Sequence, residues 1–277
     1  NTAHDGAWPA DQPQVRNAIA MEYHRPSSVD EALGLLKQGV PLGGGTSLTP
    51  RRRALSSVVD LQDVGLDSLE VTETRWVAGA CLTLQSLADH GDPIPSTLSR
   101  VCYLEGGWNL RNVATLAGCV MAADGRSPLV TALLALGTMV VLQPGEEAID
   151  LDDLLTQRED DQQRRLITTV LIPRPRWLAY DQVARSPADR PIVCAAVARF
   201  GSEDPHTFGV ALGGFGARPV LLPLATAEVD DAGVVDQVGR LASEAYAQAG
   251  DAWASADYRS EVAGVLVRRL LREGAEV

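Results

Sequence analysis

Three consecutive glycines directly after a short apolar run are the feature that most limits this chain. The stretch VPLGGGTSLTP, residues 40–50, carries Gly43, Gly44 and Gly45 into Thr46 and Ser47. Glycine lets successive backbone N–H groups converge on one point, because no Cβ intervenes and positive φ is cheap. Such a nest binds anions, phosphate above all. A tight strand-to-helix turn is the plainer use of the same residues. Two phosphate loops of known pattern are excluded. A P-loop needs Gly-Lys-Ser/Thr, and the single lysine, Lys37, lies before the glycines. The dinucleotide fingerprint G-x-G-x-x-G fails because Leu48 takes its last position. GGFGARP, from Gly213, fails in the same way at Pro219. Phosphate at this loop would be held by backbone amides and the hydroxyls of Thr46 and Ser47.

The chain has 277 residues, of which 45% are hydrophobic, enough for two or three packed units. Its formal charge of −12 repels phosphate backbones and anionic lipid, so neither nucleic acid nor membrane is expected as a partner. No apolar run approaches the roughly 18 residues of a membrane span. The first twenty residues have no basic start and no apolar centre, so they read as an N-terminal arm and not as a secretory signal. Cys81, Cys102, Cys119 and Cys194 are too scattered for a zinc or iron–sulfur loop. They read as buried reduced thiols, which points to the cytoplasm.

Order along the chain sets the frame. HRPSSVDEALGLLKQG predicts a helix with a capping box, Ser28 at the N-cap and Glu31 at the third position, closed by Gly39. Strands are expected at VPL, at SSVVDL (56–61) and at RWVAGACLTL (75–84), with Thr83 capping a short helix. SPLVTALLALG predicts a helix opened by Ser127 and Pro128 and closed at Gly137. TMVVLQ and RRLITTVLIPRPR follow as strands. The last hundred residues alternate like antiparallel strands and end in two helices, a separate α+β domain.

A second small-residue segment, NVATLAGCVMAAD (112–124), lies about seventy residues after the first and reads as a loop of the same kind. Two such loops from neighbouring subdomains can clamp a pyrophosphate between them. With both on the page, the chain resembles the medium, FAD-binding subunit of molybdenum hydroxylases, the carbon monoxide dehydrogenase and xanthine dehydrogenase family. YHRPSSVDEALGLL is similar to the family's opening and PLGGGTSL to its flavin loop. LRNVATLAGCVMAAD matches its second motif, and ALLALG, VALGGFGARPV and DYRSEVAGVLVRRLL fall where the family places theirs. The resemblance covers about residues 21–275.

It implies an α+β protein with a PCMH-type FAD-binding fold: two α/β subdomains, 21–75 and 76–176, then a C-terminal α+β domain, 177–277, of the carbon monoxide dehydrogenase flavoprotein type. It implies that FAD is held without a covalent bond. Leu42, Gly43, Gly44, Gly45, Thr46, Ser47 and Leu48 would line it on one side. Thr115, Leu116, Ala117, Gly118, Cys119, Asp124 and Ile167 would complete the site. It also implies an electron relay, from iron–sulfur clusters of a partner chain through flavin to an acceptor, with a molybdopterin chain as the other partner. Against the family pattern, Ser47 stands where Asp is common. Ala117 replaces a glycine, Cys119 an Asn and Pro128 a cofactor-contacting Asp, and Asp181 falls where some members have Lys. A stand-alone flavoprotein of a biosynthetic pathway, its pocket reshaped at these positions, is the alternative.

The remaining candidates have bland readings. His4, His24, His90 and His206 are too far apart for a metal or nucleophile site. The carboxylates 159–161 read as a solvated loop, and Trp108 reads as core in preference to a lid on the flavin. The helix bearing Arg268, Arg269 and Arg272 reads as packed on its own domain.

Overall fold

The computed structural model describes residues 21–92, 94–158, 165–187, 189–201, 207–223 and 232–275. The N-terminal arm, His4, His206 and the 159–161 carboxylates lie outside the described residues.

The first unit is a parallel three-stranded sheet. β1 (Glu22–His24) and β2 (Val40–Leu42) flank β3 (Ser57–Asp60), and α1 (Val29–Leu35) covers one face. Ala32, Leu36, Val59 and Leu61 form its small core. Ser28 caps α1 as its hydroxyl accepts from the Glu31 amide at 3.2 Å. The Glu31 carboxylate bonds the amide of Ser27 at 2.8 Å, one residue before the position a capping box prescribes. α1 also ends at Leu35 instead of running to Gly39, whose amide closes the turn on the Leu35 carbonyl.

The second unit is antiparallel throughout. Its sheet has the order β4 (Leu69–Val71), β5 (Arg75–Gly79), β8 (Leu166–Pro173), β6 (Met139–Gln143), β7 (Glu147–Asp150). β4 precedes residue 75 yet pairs with β5, so the first sheet gives way to the second before Leu69. The unit also holds α2 (Leu84–Asp89), α3 (Ser96–Glu105), α4 (Trp108–Arg111), α5 (Leu116–Ala122), α6 (Pro128–Ala135) and α7 (Leu151–Gln157), of which α5 packs on β8, α7 on β7, and α3 and α6 on the C-terminal sheet. α6 begins as its sequence predicts, with the Ser127 hydroxyl accepting from the Val130 amide and Pro128 in the first turn. Every residue of α6 is buried.

The C-terminal sheet has the order β12 (Val220–Leu221), β11 (Thr207–Gly213), β10 (Val193–Phe200), β9 (Trp177–Val183), all antiparallel. Its two faces are both covered, and the two-residue period of a strand sorts the side chains between them. Cys194, Ala196 and Ala198 join the core of the second unit, while Val193, Ala195 and Val197 pack under α8 (Ala232–Ala245) and α9 (Ala256–Ala275). Small residues on the first face let α6 approach closely: a Cβ on Gly209 would sit 1.9 Å from the Ala135 carbonyl oxygen. The arginines of α9 pair within this unit, Arg268 and Arg272 toward Asp236 and Arg269 to Asp181. That is the own-domain packing read from the sequence.

Candidate functional site

β2 delivers the chain to the triple glycine at the seam between the first two units. From Gly43 to Ser47 no backbone amide donates to any described group. The amides of Leu48 and Thr49 turn back onto the Gly45 carbonyl at 3.2 and 2.8 Å, which closes the loop into the 3-10 turn Thr49–Ala54. Gly45 takes φ +70°, the left-handed region open to glycine. A run of unpaired, neighbouring amides in such a turn is an anion-binding concavity.

The second segment is not a loop. Thr115 caps α5, its hydroxyl accepting from the Gly118 amide at 3.3 Å. Leu, Ala, Cys, Val and Met continue the helix as good or tolerated helix formers. The amides here are taken: Leu116 donates to the Leu82 carbonyl at 2.8 Å and Ala117 to the Ala80 carbonyl at 3.1 Å. Free donors therefore lie on the glycine loop, and the start of α5 supplies an apolar and hydroxylic wall. The two segments touch: a Cβ on Gly44 would meet the Val113 carbonyl oxygen at 1.5 Å, and one on Gly43 would meet Thr115 Oγ1 at 2.5 Å.

This contact divides the seam into two cavities. One, of about 130 Å³, is lined by Gly43, Thr115, Ala117, Gly118 and Ile167 among the sequence-predicted residues, together with Cys81, Met121, Leu142 and Arg165. The other, of about 250 Å³, is lined by Thr46, Ser47 and Cys119, together with Glu105, Arg111 and Arg190. Leu42, Gly44, Gly45, Leu48, Leu116 and Asp124 line neither cavity. Leu116 is core. Asp124 holds the rim: one oxygen accepts from the Arg126 amide at 2.8 Å and the other pairs with Arg190 at 2.9 Å.

Burial holds the thiols in their neutral form. Burial pushes Cys81 up to about 11 and Cys102 up to about 12, and it raises Cys119 further in the same direction. Trp108 is 62% exposed, so it is not core; Arg111 stacks 5.9 Å from its ring and 4.7 Å from that of Tyr103. Pro128 is buried in the first turn of α6, and Asp181 pairs with Arg269. Sequence reasoning passed over Glu105, Arg111, Arg190 and Arg165. Arg111 lies inside the LRNVATLAGCVMAAD motif and Arg165 at the start of an expected strand, yet nothing local marks any of the four as lining a cavity; the fold brings them there. Among the described residues no cluster of His, Cys, Asp or Glu is placed to hold a metal, and no helix is long and apolar enough to cross a membrane.

The positive φ and the free amides make Gly45 sensitive. Gly45→Val forces a β-branched residue into the left-handed region and narrows the nest, 3.1 Å from Leu42 Cδ1. We expect FAD affinity to drop at least tenfold, about 1.4 kcal/mol, in a fluorescence titration, with the circular dichroism spectrum retained.

The free amides of the glycine loop and the neighbouring Thr46 and Ser47 hydroxyls are the donor set that a diphosphate needs. Residues 18–175 match the family of the FAD binding domain in molybdopterin dehydrogenase, and residues 178–274 match the CO dehydrogenase flavoprotein C-terminal domain. The chain is 30% identical to uncharacterized protein YgfM of Escherichia coli, over 90% of this chain and 94% of that protein. It is 26% identical to the carbon monoxide dehydrogenase medium chain of Afipia carboxidovorans, over 90% and 95%. Among solved structures it resembles the reconstituted CO dehydrogenase from Oligotropha carboxidovorans, with TM-score 0.76 at 26% identity over 93% of this chain and 98% of that one. Quinoline 2-oxidoreductase from Pseudomonas putida shares the fold, with TM-score 0.76 at 22% identity over 93% and 97%. The glycine nest, the capped helix facing it and the C-terminal sheet behind them thus place this chain in the family of FAD-binding domains of molybdopterin dehydrogenases, as an FAD-binding flavoprotein subunit of the oxidoreductase type.

Proposed function

We propose that the chain is the electron-relay subunit of a molybdenum hydroxylase, taking electrons from iron–sulfur clusters of a partner chain and passing them to an acceptor. The observation that carries this reading is the unpaired run of amides from Gly43 to Ser47 at the seam between two cavities. Each cavity is smaller than the roughly 300–1,000 Å³ of a typical ligand pocket, as suits one end of a dinucleotide. The nest and the Thr46 and Ser47 hydroxyls hold the diphosphate. Gly43, Thr115, Ala117, Gly118 and Ile167 wall the narrow cavity. Cys119, Arg111, Arg190 and Glu105 surround the wider one. The bound flavin supplies the one- and two-electron chemistry. The protein orients it and excludes water.

Ala117 and Pro128 fit this reading. The Ala117 amide is bound to the Ala80 carbonyl, so a glycine at this position would offer a phosphate no further donor. With Pro128 in the first turn of α6, a carboxylate reaches that turn from Glu105 instead. One relative is named a carbon monoxide dehydrogenase medium chain, which supports a place among companion chains.

The test is co-expression with an iron–sulfur chain and a molybdopterin chain encoded beside it. We expect a yellow protein whose FAD is released by acid, copurification of the three chains, and dye reduction by the complex with substrate. The isolated chain should oxidise none of those substrates. Turnover of a small organic substrate by the isolated chain would overturn the relay in favour of a stand-alone flavoprotein.

A further inference from the structure

Among the described residues lining the wider cavity, Glu105 alone is acidic. It closes α3, and its Oε2 accepts from the Ser127 hydroxyl at 2.7 Å and from the Leu129 amide at 3.1 Å. Its Oε1 accepts no hydrogen bond from any described residue, and the side chain is partly exposed on the cavity side. A helix cap explains the first oxygen. It does not explain the second, since α6 already has Ser127 as its cap.

Among the described residues no cation forms an ion pair with this carboxyl. Arg190 is committed to Asp124 at 2.9 Å. Arg111 gives its Nε to Gln85 at 3.0 Å and one terminal nitrogen to the Gly106 carbonyl at 2.6 Å. The thiols that face it, Cys102 from α3 and Cys119 from α5, are held neutral by burial. Tyr180 and Cys194, further off on the C-terminal sheet, are also neutral. Burial pushes the Glu105 carboxyl above the usual range, against the Ser127 and Leu129 hydrogen bonds and Arg190, while Asp124 adds to the rise. A further negative charge arriving in the cavity beside it would favour its protonated form.

We propose that Glu105 is the proton-exchanging group of the flavin site, taking up one proton when the cofactor is reduced and releasing it on reoxidation. This rests on the proposed FAD site, with the flavin ring and not the adenine in the wider cavity. The two electrons come from the reductant, an iron–sulfur chain in the complex or dithionite in vitro, and go to the cofactor. The proton comes from solvent through the cavity, −COO⁻ + H⁺ → −COOH, with no bond broken in the protein. Reoxidation reverses each transfer.

The experiment is a spectroelectrochemical titration of the full FAD-loaded chain across pH, wild type against Glu105→Gln. Glutamine keeps the length and an acceptor for Ser127 and Leu129 but cannot titrate. Over the pH interval in which the carboxyl exchanges its proton, the wild-type midpoint potential should fall more steeply than the variant's by one proton per two electrons, about 30 mV per pH unit. Superimposable slopes overturn the proposal and leave Glu105 a capping residue. Should the variant fail to fold, the wild-type reduced-minus-oxidised infrared spectrum decides. A carboxylic acid C=O band gained on reduction, and shifted by carbon-13 labelling of glutamate, supports the proposal; no such band overturns it. A chain that takes up no FAD at all refutes the cofactor site first and this proposal with it, whereas tight FAD with a pH slope unaffected by the substitution refutes this proposal alone.

Discussion

Gly44→Ala is expected to lower FAD affinity at least a hundredfold, about 2.8 kcal/mol at 1.4 kcal/mol per tenfold. The added Cβ would stand 1.5 Å from the Val113 carbonyl oxygen, 2.3 Å from its carbon and 3.0 Å from the Ala114 nitrogen. All three are backbone atoms, so no rotamer change relieves the clash, and the glycine loop must move away from the start of α5. That motion opens the wall between the cavities and misdirects the amides of Gly43–Ser47 together. Titration of the apoprotein with FAD measures the effect, and thermal melting shows that the core beneath is retained. Affinity equal to wild type would mean that the contact between the two segments does not shape the site. The effect should exceed that of Gly45→Val, whose side chain meets the flexible end of Leu42 and not backbone.

Arg259→Met is expected to lower stability by at least ~3 kcal/mol, read as a large drop in melting temperature of the whole chain. Arg259 is fully buried on α9. Its guanidinium donates to the Ile192 carbonyl at 3.0 Å and the Ala249 carbonyl at 2.6 Å, and it grips both oxygens of Asp251 at 2.9 and 3.0 Å. Its planar face lies 5.0 Å from the Phe215 ring. Methionine fills the space but removes every donor, leaving the Ile192 and Ala249 carbonyls without partners and Asp251, which keeps the amides of Trp253 and Ala254, without its counter-ion. The consequence reaches the site. Ile192 follows Arg190 and Pro191, and Arg126 ties the carbonyls of both to the rim of the wider cavity at 2.9 and 3.0 Å. The variant should therefore also bind FAD more weakly at temperatures where it remains folded. An unchanged melting curve would show that this buried network is not what secures the C-terminal sheet to its helices.

Local chemistry was legible in the residues. Ser127-Pro128 opened α6, Gly137 closed it at φ +63°, and Thr83 capped α2, because caps, prolines and left-handed glycines act within a few residues of themselves. The same applies to the glycine loop, whose three residues without a Cβ admit few other uses. The order of such motifs carried the family and, through it, the cofactor. What the second motif does was not legible. Its small residues suggested a second nest, yet they form a helix whose first amides are bound to the carbonyls of Ala80 and Leu82, more than thirty residues away. A hydroxyl cap and a phosphate loop use the same residue types. The distant acceptors decide between them.

Glu105 shows the same limit from the other side. In the sequence it is one carboxylate before a Gly-Gly pair. It becomes the acidic wall of a cavity because α3 ends where α6 begins, over twenty residues later. Sequence alone determined where the chain turns, caps and alternates, since those depend on covalent neighbours and on side-chain size. Only the tertiary structure decided which amides remain free, which glycine is fixed by a touching backbone and which carboxyl faces the cavity, since each of these is set by atoms that long-range packing brings within a few ångströms.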